Sequence, residues 1–503
     1  MRLSAEPQSI LRIGPRLWLV LLMVQLSNML FGMTITIANV VLPEIRGTMS
    51  ASQDEISWAI TLNLVATAVA TPLTAWVAGR IGKRALMVGT LTGFSVCSLF
   101  CGLSSSLDSL ILYRIGQGIF GAPIMPLGQA IVLAMFPRHL QPTAIVLWGV
   151  GAVFGPVLGP IIGAYMADVY SWRAAFFVIV PAGLLATVCA WFALANDQDK
   201  RTVQFDWIGF LALSVSIIAA QLILDRGEKL GWLDSMEITL LAFLGVIAFW
   251  VFVTHCLTAE RPFLDPRLLL DRNFALGTII AFVMGTLTFT SLVLFPTLLH
   301  DLRGYPDRAI GIILASRGVG NWAAFLFVIP MARLIPRISL GLGLLLQAAA
   351  GYAIAQFDIN MNDFDVAWTN FLLGFGQSIA FTPMTILAFT TLSKDKLTEG
   401  SAVFTLMRNF GSSLFISIAV MVTLRSTSGN YAAMTEFASA FASQTLTPLP
   451  SPWSTSTQTG LASLSDEIKR QASMIGYINA FYLMAWTAAA AAPLAFFMRN
   501  PTR

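Results

Sequence analysis

The feature that most constrains this chain is the recurrence, from one end to the other, of apolar stretches about 20 residues long separated by short polar breaks. A helix of that length crosses the hydrocarbon of a bilayer with all its backbone polar groups bonded internally, which is what hydrocarbon demands. Fourteen spans are predicted. They run over 17–41, 55–78, 86–104, 110–134, 143–166, 174–194, 207–224, 238–255, 273–297, 308–331, 339–356, 365–390, 400–424 and 477–498. Only 11% of the 503 residues are charged, whereas soluble domains carry roughly 25%, so little chain remains for a soluble domain.

Charge then sets the expected orientation. With the 1–16 segment and the C-terminus in the cytoplasm, 18 of the 30 Lys and Arg fall in inside segments and nine in outside ones. This follows the positive-inside bias, so the net charge of +4 reads as an orientation signal. No nucleic-acid binding is expected. The first apolar run is long and lacks a small-residue cleavage site, so it is expected to be retained as the first span. Cys97, Cys101, Cys189 and Cys256 sit in or beside apolar stretches, and no disulfide framework, metal site or cofactor is expected. His139, His255 and His300 are scattered and form no catalytic set, so no enzyme activity is expected. A Walker sequence is absent, and no cytoplasmic segment is long enough for a nucleotide-binding domain.

Two stretches repeat. Gly116-Gln117-Gly118-Ile119 with Pro123 returns as Gly376-Gln377-Ser378-Ile379 with Pro383, each in the fourth span of a block of six. The basic turn Arg80, Lys83, Arg84 between spans 2 and 3 has a counterpart in Arg333 and Arg337 between spans 10 and 11. The expected architecture is an all-α polytopic membrane protein. It has a six-helix bundle at 17–194, two inserted helices with linkers at 195–272, and a second six-helix bundle at 273–503 that includes an extracytoplasmic loop at 425–476. Duplicated halves around a midplane site are the signature of an alternating-access transporter.

At this point the residues resemble the major facilitator superfamily, in particular the fourteen-span drug:proton antiporters of the EmrB/QacA type, and most of all the EmrB branch. Thr36-Ile37-Ala38-Asn39-Val40-Val41-Leu42-Pro43 looks like that family's first-span signature, and Arg114 with Gln117 and Gly118 matches its fourth-span motif. Gly151, Gly155, Pro156, Gly159, Pro160 and Gly163 look like its fifth-span antiporter motif. Phe205-Asp206-Trp207 and Asp225-Arg226-Gly227 resemble the bounds of its inserted seventh span. The resemblance implies the major facilitator fold and proton-coupled efflux of small amphiphilic toxic compounds. It also implies work with a periplasmic adaptor protein and an outer-membrane channel. Two positions depart from the pattern: Gly79 stands where the basic turn usually has Asp, and Thr34 where many relatives carry an acid.

Candidate site residues follow from the cost of polarity in hydrocarbon. Arg114, Arg317 and Arg408 lie within predicted spans, the last two about 12 Å deep, and a charge at that depth is a functional candidate. The expected partners of Arg114 are backbone carbonyls, Gln117 or Glu55. All 26 acidic residues fall in loops or near span ends, so the cavity is expected to lean positive and to favour weak acids or neutral amphiphiles over permanent cations. The substrate-cavity candidates are Thr34, Asn39, Gln117, Arg317, Asn321, Gln377 and Arg408, with aromatic walls from residues such as Trp148, Trp322 and Phe381. The proton-coupling candidates are Asp54, Glu55, Arg114, Asp206 and Asp225. The glycines and prolines of span 5 are expected to form a sliding seam, with static close packing as the competing reading, and Arg80 and Lys83 to join them in gating. The 425–476 loop is expected to fold into a helical hairpin lying on the outer surface, around 432–443 and 463–474, broken by Thr447-Pro448-Leu449-Pro450-Ser451-Pro452 and able to dock a partner, with disorder or a cap over the pore mouth as the competing reading. A dedicated exporter of one endogenous metabolite on the same fold is the competing function.

Overall fold

The computed structural model describes residues 14–137, 140–195, 205–228, 230–260, 262–437, 453 and 457–500, and every regular element among them is helical. Thirteen of the helices are long and apolar enough to cross a membrane, and a bent pair, Glu55–Ala70 with Leu73–Ile81, makes a fourteenth span. The pair meets at 57° because Pro72 stands at the break, where its ring removes a backbone donor and crowds the preceding turn. Thr71 Oγ1 donates to the Thr67 carbonyl at 2.6 Å and Thr74 Oγ1 to the Thr71 carbonyl at 2.7 Å, supplying hydrogen bonds around the bend.

In chain order, the first half consists of span 1 (Pro15–Leu42), the bent span 2, span 3 (Lys83–Leu103), span 4 (Leu107–Met135), span 5 (Thr143–Val169) and span 6 (Trp172–Ala193). Spans 7 (Trp207–Arg226) and 8 (Met236–Thr258) are inserted. The second half consists of span 9 (Arg272–Arg303), span 10 (Ala309–Leu334), span 11 (Pro336–Ile354), span 12 (Asp363–Phe389), span 13 (Lys394–Glu436) and span 14 (Gln458–Phe497).

The halves repeat their packing. Spans 1 and 5 meet backbone to backbone: a Cβ at Gly151 or Gly155 would collide with the carbonyl oxygen of Gln25 or Met29, and Pro156 seats its ring on Gly32. Gln25 Oε1 accepts from the Gly151 amide at 3.0 Å, and Asn28 Nδ2 donates to the Trp148 carbonyl at 3.1 Å. Spans 9 and 13, in the equivalent positions, meet the same way at Gly285 and Gly411. The glycine face of span 5 therefore turns toward span 1 of its own half, while Gly149 and Ala152 face the other half across a cavity that Pro156 borders.

Span 7 bridges the halves from outside. Thr61 Oγ1 of span 2 donates to Asp225 Oδ2 at 2.6 Å, and Ser413 Oγ of span 13 donates to Gln221 Oε1 at 2.7 Å. Span 8 leans on span 7 and leaves Phe243 and Trp250 exposed, an apolar face suited to lipid. The halves also touch directly near the end where both described termini lie. There, Arg333 Nη2 donates to Thr143 Oγ1 at 3.0 Å, and Val146 packs with Ala324, Val328 and Ile379.

The 425–476 segment differs from expectation. Its flanks are helical, but as unbroken continuations of the two neighbouring spans: one helix runs from Leu397 to Phe437 and the other starts at Gln458. They stay paired past Arg425, with Asn479 Nδ2 donating to Ser426 Oγ at 2.7 Å and the Tyr431 hydroxyl 2.9 Å from Ser465 Oγ. The hairpin therefore stands up from the spans by roughly 20 Å, having no turn at Arg425 that would lay it flat. The 447–452 break lies outside the described residues.

Candidate functional site

A cavity of about 810 Å³, counting its open mouth, lies between the halves. Spans 4 and 5 wall it on one side and spans 9, 10, 12 and 13 on the other. Its apolar lining includes Met125, Met284, Leu292, Phe325 and Phe381, and Trp148 of span 5 stacks on Phe381 of span 12 with ring centroids 5.6 Å apart. Its polar lining consists of Thr288, Arg317, Gln377, Ser378, Thr382 and Arg408, with no Asp or Glu among them.

Arg317 is held from all sides. Gly374 has no side chain, so span 12 lies directly on the Arg317 backbone, and Asn321 Nδ2 donates to the Arg317 carbonyl at 3.0 Å. The Arg317 guanidinium donates through Nη1 to Ser291 Oγ and through Nη2 to Gln377 Oε1 at 2.8 Å. Asn321 Oδ1 in turn accepts from Ser378 Oγ at 2.8 Å. Arg317 is thus a charge with neutral partners, the arrangement that keeps a guanidinium ionised in a low-dielectric site while leaving its positive field uncancelled. Arg408, also buried, donates through Nη2 to Met125 Sδ at 2.9 Å, a poor acceptor.

Arg114 lies elsewhere, inside the first half. Its Nη1 donates to Gln117 Oε1 at 2.7 Å and its Nε to the Ala59 carbonyl at 3.3 Å, with the Phe176 ring 5.9 Å from its Cζ. Gln117 passes the chain on by donating through Nε2 to Ser98 Oγ at 2.7 Å. Glu55 does not reach Arg114. Its carboxylate accepts from the Ser52 amide at 2.8 Å and closes the capping box that starts span 2.

Of the residues singled out in the sequence, Arg317, Gln377 and Arg408 come together at the cavity, with Asn321 directly behind them. Thr34 is buried in span 1 and donates to the Leu30 carbonyl at 2.8 Å, Asn39 is exposed, and Gln117 belongs to the Arg114 network, so none of the three lines the cavity. Trp322 is 67% exposed and turns away from it. Asp206 caps span 7 through the Gly209 amide at 2.9 Å and also accepts from the Phe263 amide and meets His255 Nε2, both at 2.9 Å. Asp225 faces span 2 through Thr61, and the Asp54 side chain lies outside the described residues. Arg80 sets its guanidinium over Trp76 at 5.3 Å, and Lys83 begins span 3. Met125, Ser291 and Ser378 complete the site and carried little signal, being ordinary residues in apolar runs. Only Ser378, standing where the first half has Gly118, marked a difference between the repeats.

Two six-span halves that repeat their seams and enclose a cavity define a membrane transporter of the alternating-access class. The chain belongs to the Major Facilitator Superfamily, whose family model matches residues 24–416. It is 31% identical to the Multidrug export protein EmrB of Escherichia coli (strain K12), over 85% of this chain and 84% of that protein. It is also 31% identical to the Fatty acid resistance protein FarB of Neisseria gonorrhoeae, over 76% of each. In fold it is similar to a bacterial homolog of the human lysosomal transporter Spinster, solved in an inward-facing, unoccupied conformation. That match has a TM-score of 0.55 and 16% identity, and covers 97% of this chain and 100% of that one.

Proposed function

We propose that this protein is a multidrug efflux transporter that exports amphiphilic compounds by proton antiport across the bacterial inner membrane, with weak acids and neutral molecules preferred. One observation carries the preference: the cavity between the halves combines apolar walls with two buried guanidinium groups and no lining carboxylate. In a low dielectric such a site attracts an anionic head and repels a fixed cation. The name of one relative, the Fatty acid resistance protein FarB, agrees with that chemistry.

In this reading residues 17–194 and 273–503 are the two moving halves, bridged by 195–272, and both termini are cytoplasmic. The span 5 ladder locks span 1 to span 5, so the first half turns as one body and gating falls at the inter-half contacts Arg333–Thr143 and Trp148–Phe381. Arg80 and Lys83 sit at the same end. Asp225, between spans 7 and 2, is the acid best placed to exchange a proton as the halves move. The hairpin that continues spans 13 and 14 is the docking element for a periplasmic adaptor, which leads to an outer-membrane channel.

The test is transport in proteoliposomes under an imposed pH gradient. We expect a fatty acid or another lipophilic weak acid to be moved and ethidium to be moved at least about 10-fold more slowly, a difference of ~1.4 kcal/mol. Ethidium transport as fast as that of the weak acid, and insensitive to Arg317→Gln, overturns the preference.

A further inference from the structure

Arg408 is anchored at its backbone and loosely held at its head. Gly285 lets span 9 lie against the Arg408 carbonyl, Ser412 Oγ donates to that same oxygen at 2.9 Å, and Thr286 Oγ1 donates to the Gly411 carbonyl at 3.2 Å. The Arg408 side chain is 9% exposed, points into the cavity, and has no hydrogen-bond partner at Nε among the described residues. Its Nη2 meets only the thioether of Met125. Arg317, by contrast, has Ser291 and Gln377 on its two terminal nitrogens. A buried guanidinium whose one acceptor among the described residues is a weak sulfur lacks what a buried guanidinium ordinarily has, an oxyanion or its equivalent.

Met125 belongs to span 4 and Arg408 to span 13, so this weak contact ties one half to the other. We infer that Arg408 is the counter-charge for the oxyanion head of an amphiphilic substrate, a carboxylate above all, and that Met125 Sδ holds its place while the site is empty. The inference rests on the cavity being the substrate site, as proposed above. A carboxylate entering here takes the two terminal nitrogens of Arg408 side by side, a geometry that suits a guanidinium. Its tail then lies along Met284, Leu292, Phe325 and Phe381. Because the displaced sulfur contact joins the halves, binding the anion removes one inter-half tie and shifts the balance between closed and open arrangements.

The experiment uses the full chain in lipid nanodiscs at about pH 7.5, where a carboxylic acid in water is ionised, titrated with decanoate and with decanol of the same tail length. Wild type is expected to prefer the acid. Arg408→Gln is expected to weaken decanoate binding at least about 10-fold and to collapse the acid-to-alcohol ratio, while Arg408→Lys restores part of it as a point charge without the fork. A ratio unchanged in Arg408→Gln, or a parallel loss of acid and alcohol, overturns the inference. Met125→Leu, which keeps the volume and removes the sulfur, is expected to tighten decanoate about 3-fold, since nothing then competes for the guanidinium. Weaker decanoate binding in that variant also overturns it. If wild type binds neither probe, the proposed substrate site itself fails. If it binds both without preferring the acid, only the role of Arg408 fails.

Discussion

The same glutamine does two different jobs in the two halves. In the first, Gln117 Oε1 accepts from Arg114 one turn earlier on its own helix, and the pair is closed off by Ser98 and the Ala59 carbonyl. In the second, Gln377 Oε1 accepts from Arg317 on a neighbouring helix, and the residue standing where Arg114 would be is Gly374. Moving the guanidinium from span 4 to the partner of span 2 turns an internal brace into part of the cavity wall. A duplicated scaffold can keep its acceptor and reassign the charge, so a repeat in sequence does not imply a repeat in role.

The sharpest way to break this comparison is to remove each arginine with its volume kept. Arg114→Met should destabilise the protein on the order of 3 kcal/mol, because Gln117 and the Ala59 carbonyl lose a charged donor in the interior. Thermal unfolding in detergent measures this, and a melting temperature equal to wild type would remove the brace from the first half. Arg317→Met should lower weak-acid transport at least about 10-fold, with a smaller fall in melting temperature than Arg114→Met causes, because its surroundings include open cavity. Transport assays beside the same melts decide it, and a reversed order of the two melts breaks the distinction.

Intermediate in size, Gly374→Ala pushes a methyl group into the Arg317 backbone and should cost about 1–3 kcal/mol, with transport loss out of proportion because the guanidinium is displaced. Gly118→Ala, whose Cβ would stand 2.5 Å from the Asn63 carbonyl, should cost a similar amount of stability and leave the weak-acid preference in place. Equal loss of preference in both sharpens nothing and counts against the asymmetry. The smallest effect is expected from Ser98→Ala, about 1 kcal/mol, since Gln117 loses one neutral partner while Arg114 keeps its own.

The spans and their number were legible because apolar length is a local property of the sequence. So were the three interior arginines, since charge in a greasy run stands out against its neighbours. The partners of Arg317 were not legible: Arg114 and Gln117 are one turn apart and could be paired by spacing, but Arg317, Ser291 and Gln377 are brought together only by the packing of three helices. Of the three alternatives for Arg114, Gln117 and a backbone carbonyl are its partners, and Glu55 is not, since the Ser52 amide at the helix start satisfies that carboxylate first. The span 5 ladder was legible as a close-packing face, but its partner was not, and the structure gives it span 1. The upright hairpin was missed because a run of Ala, Ser and Thr is compatible with a helix lying down or standing, and only continuity with spans 13 and 14 decides.

That continuity has a mechanical consequence. The helix that presents Arg408 to the cavity runs on without a break to Phe437, roughly 45 Å further along the same axis. A stiff mast stepped in the hull behaves this way: a tilt of about 5° at the cavity swings the outer tip by about 4 Å. Any such tilt would be carried to the tip undiminished, because the helix has no break between the cavity and Phe437.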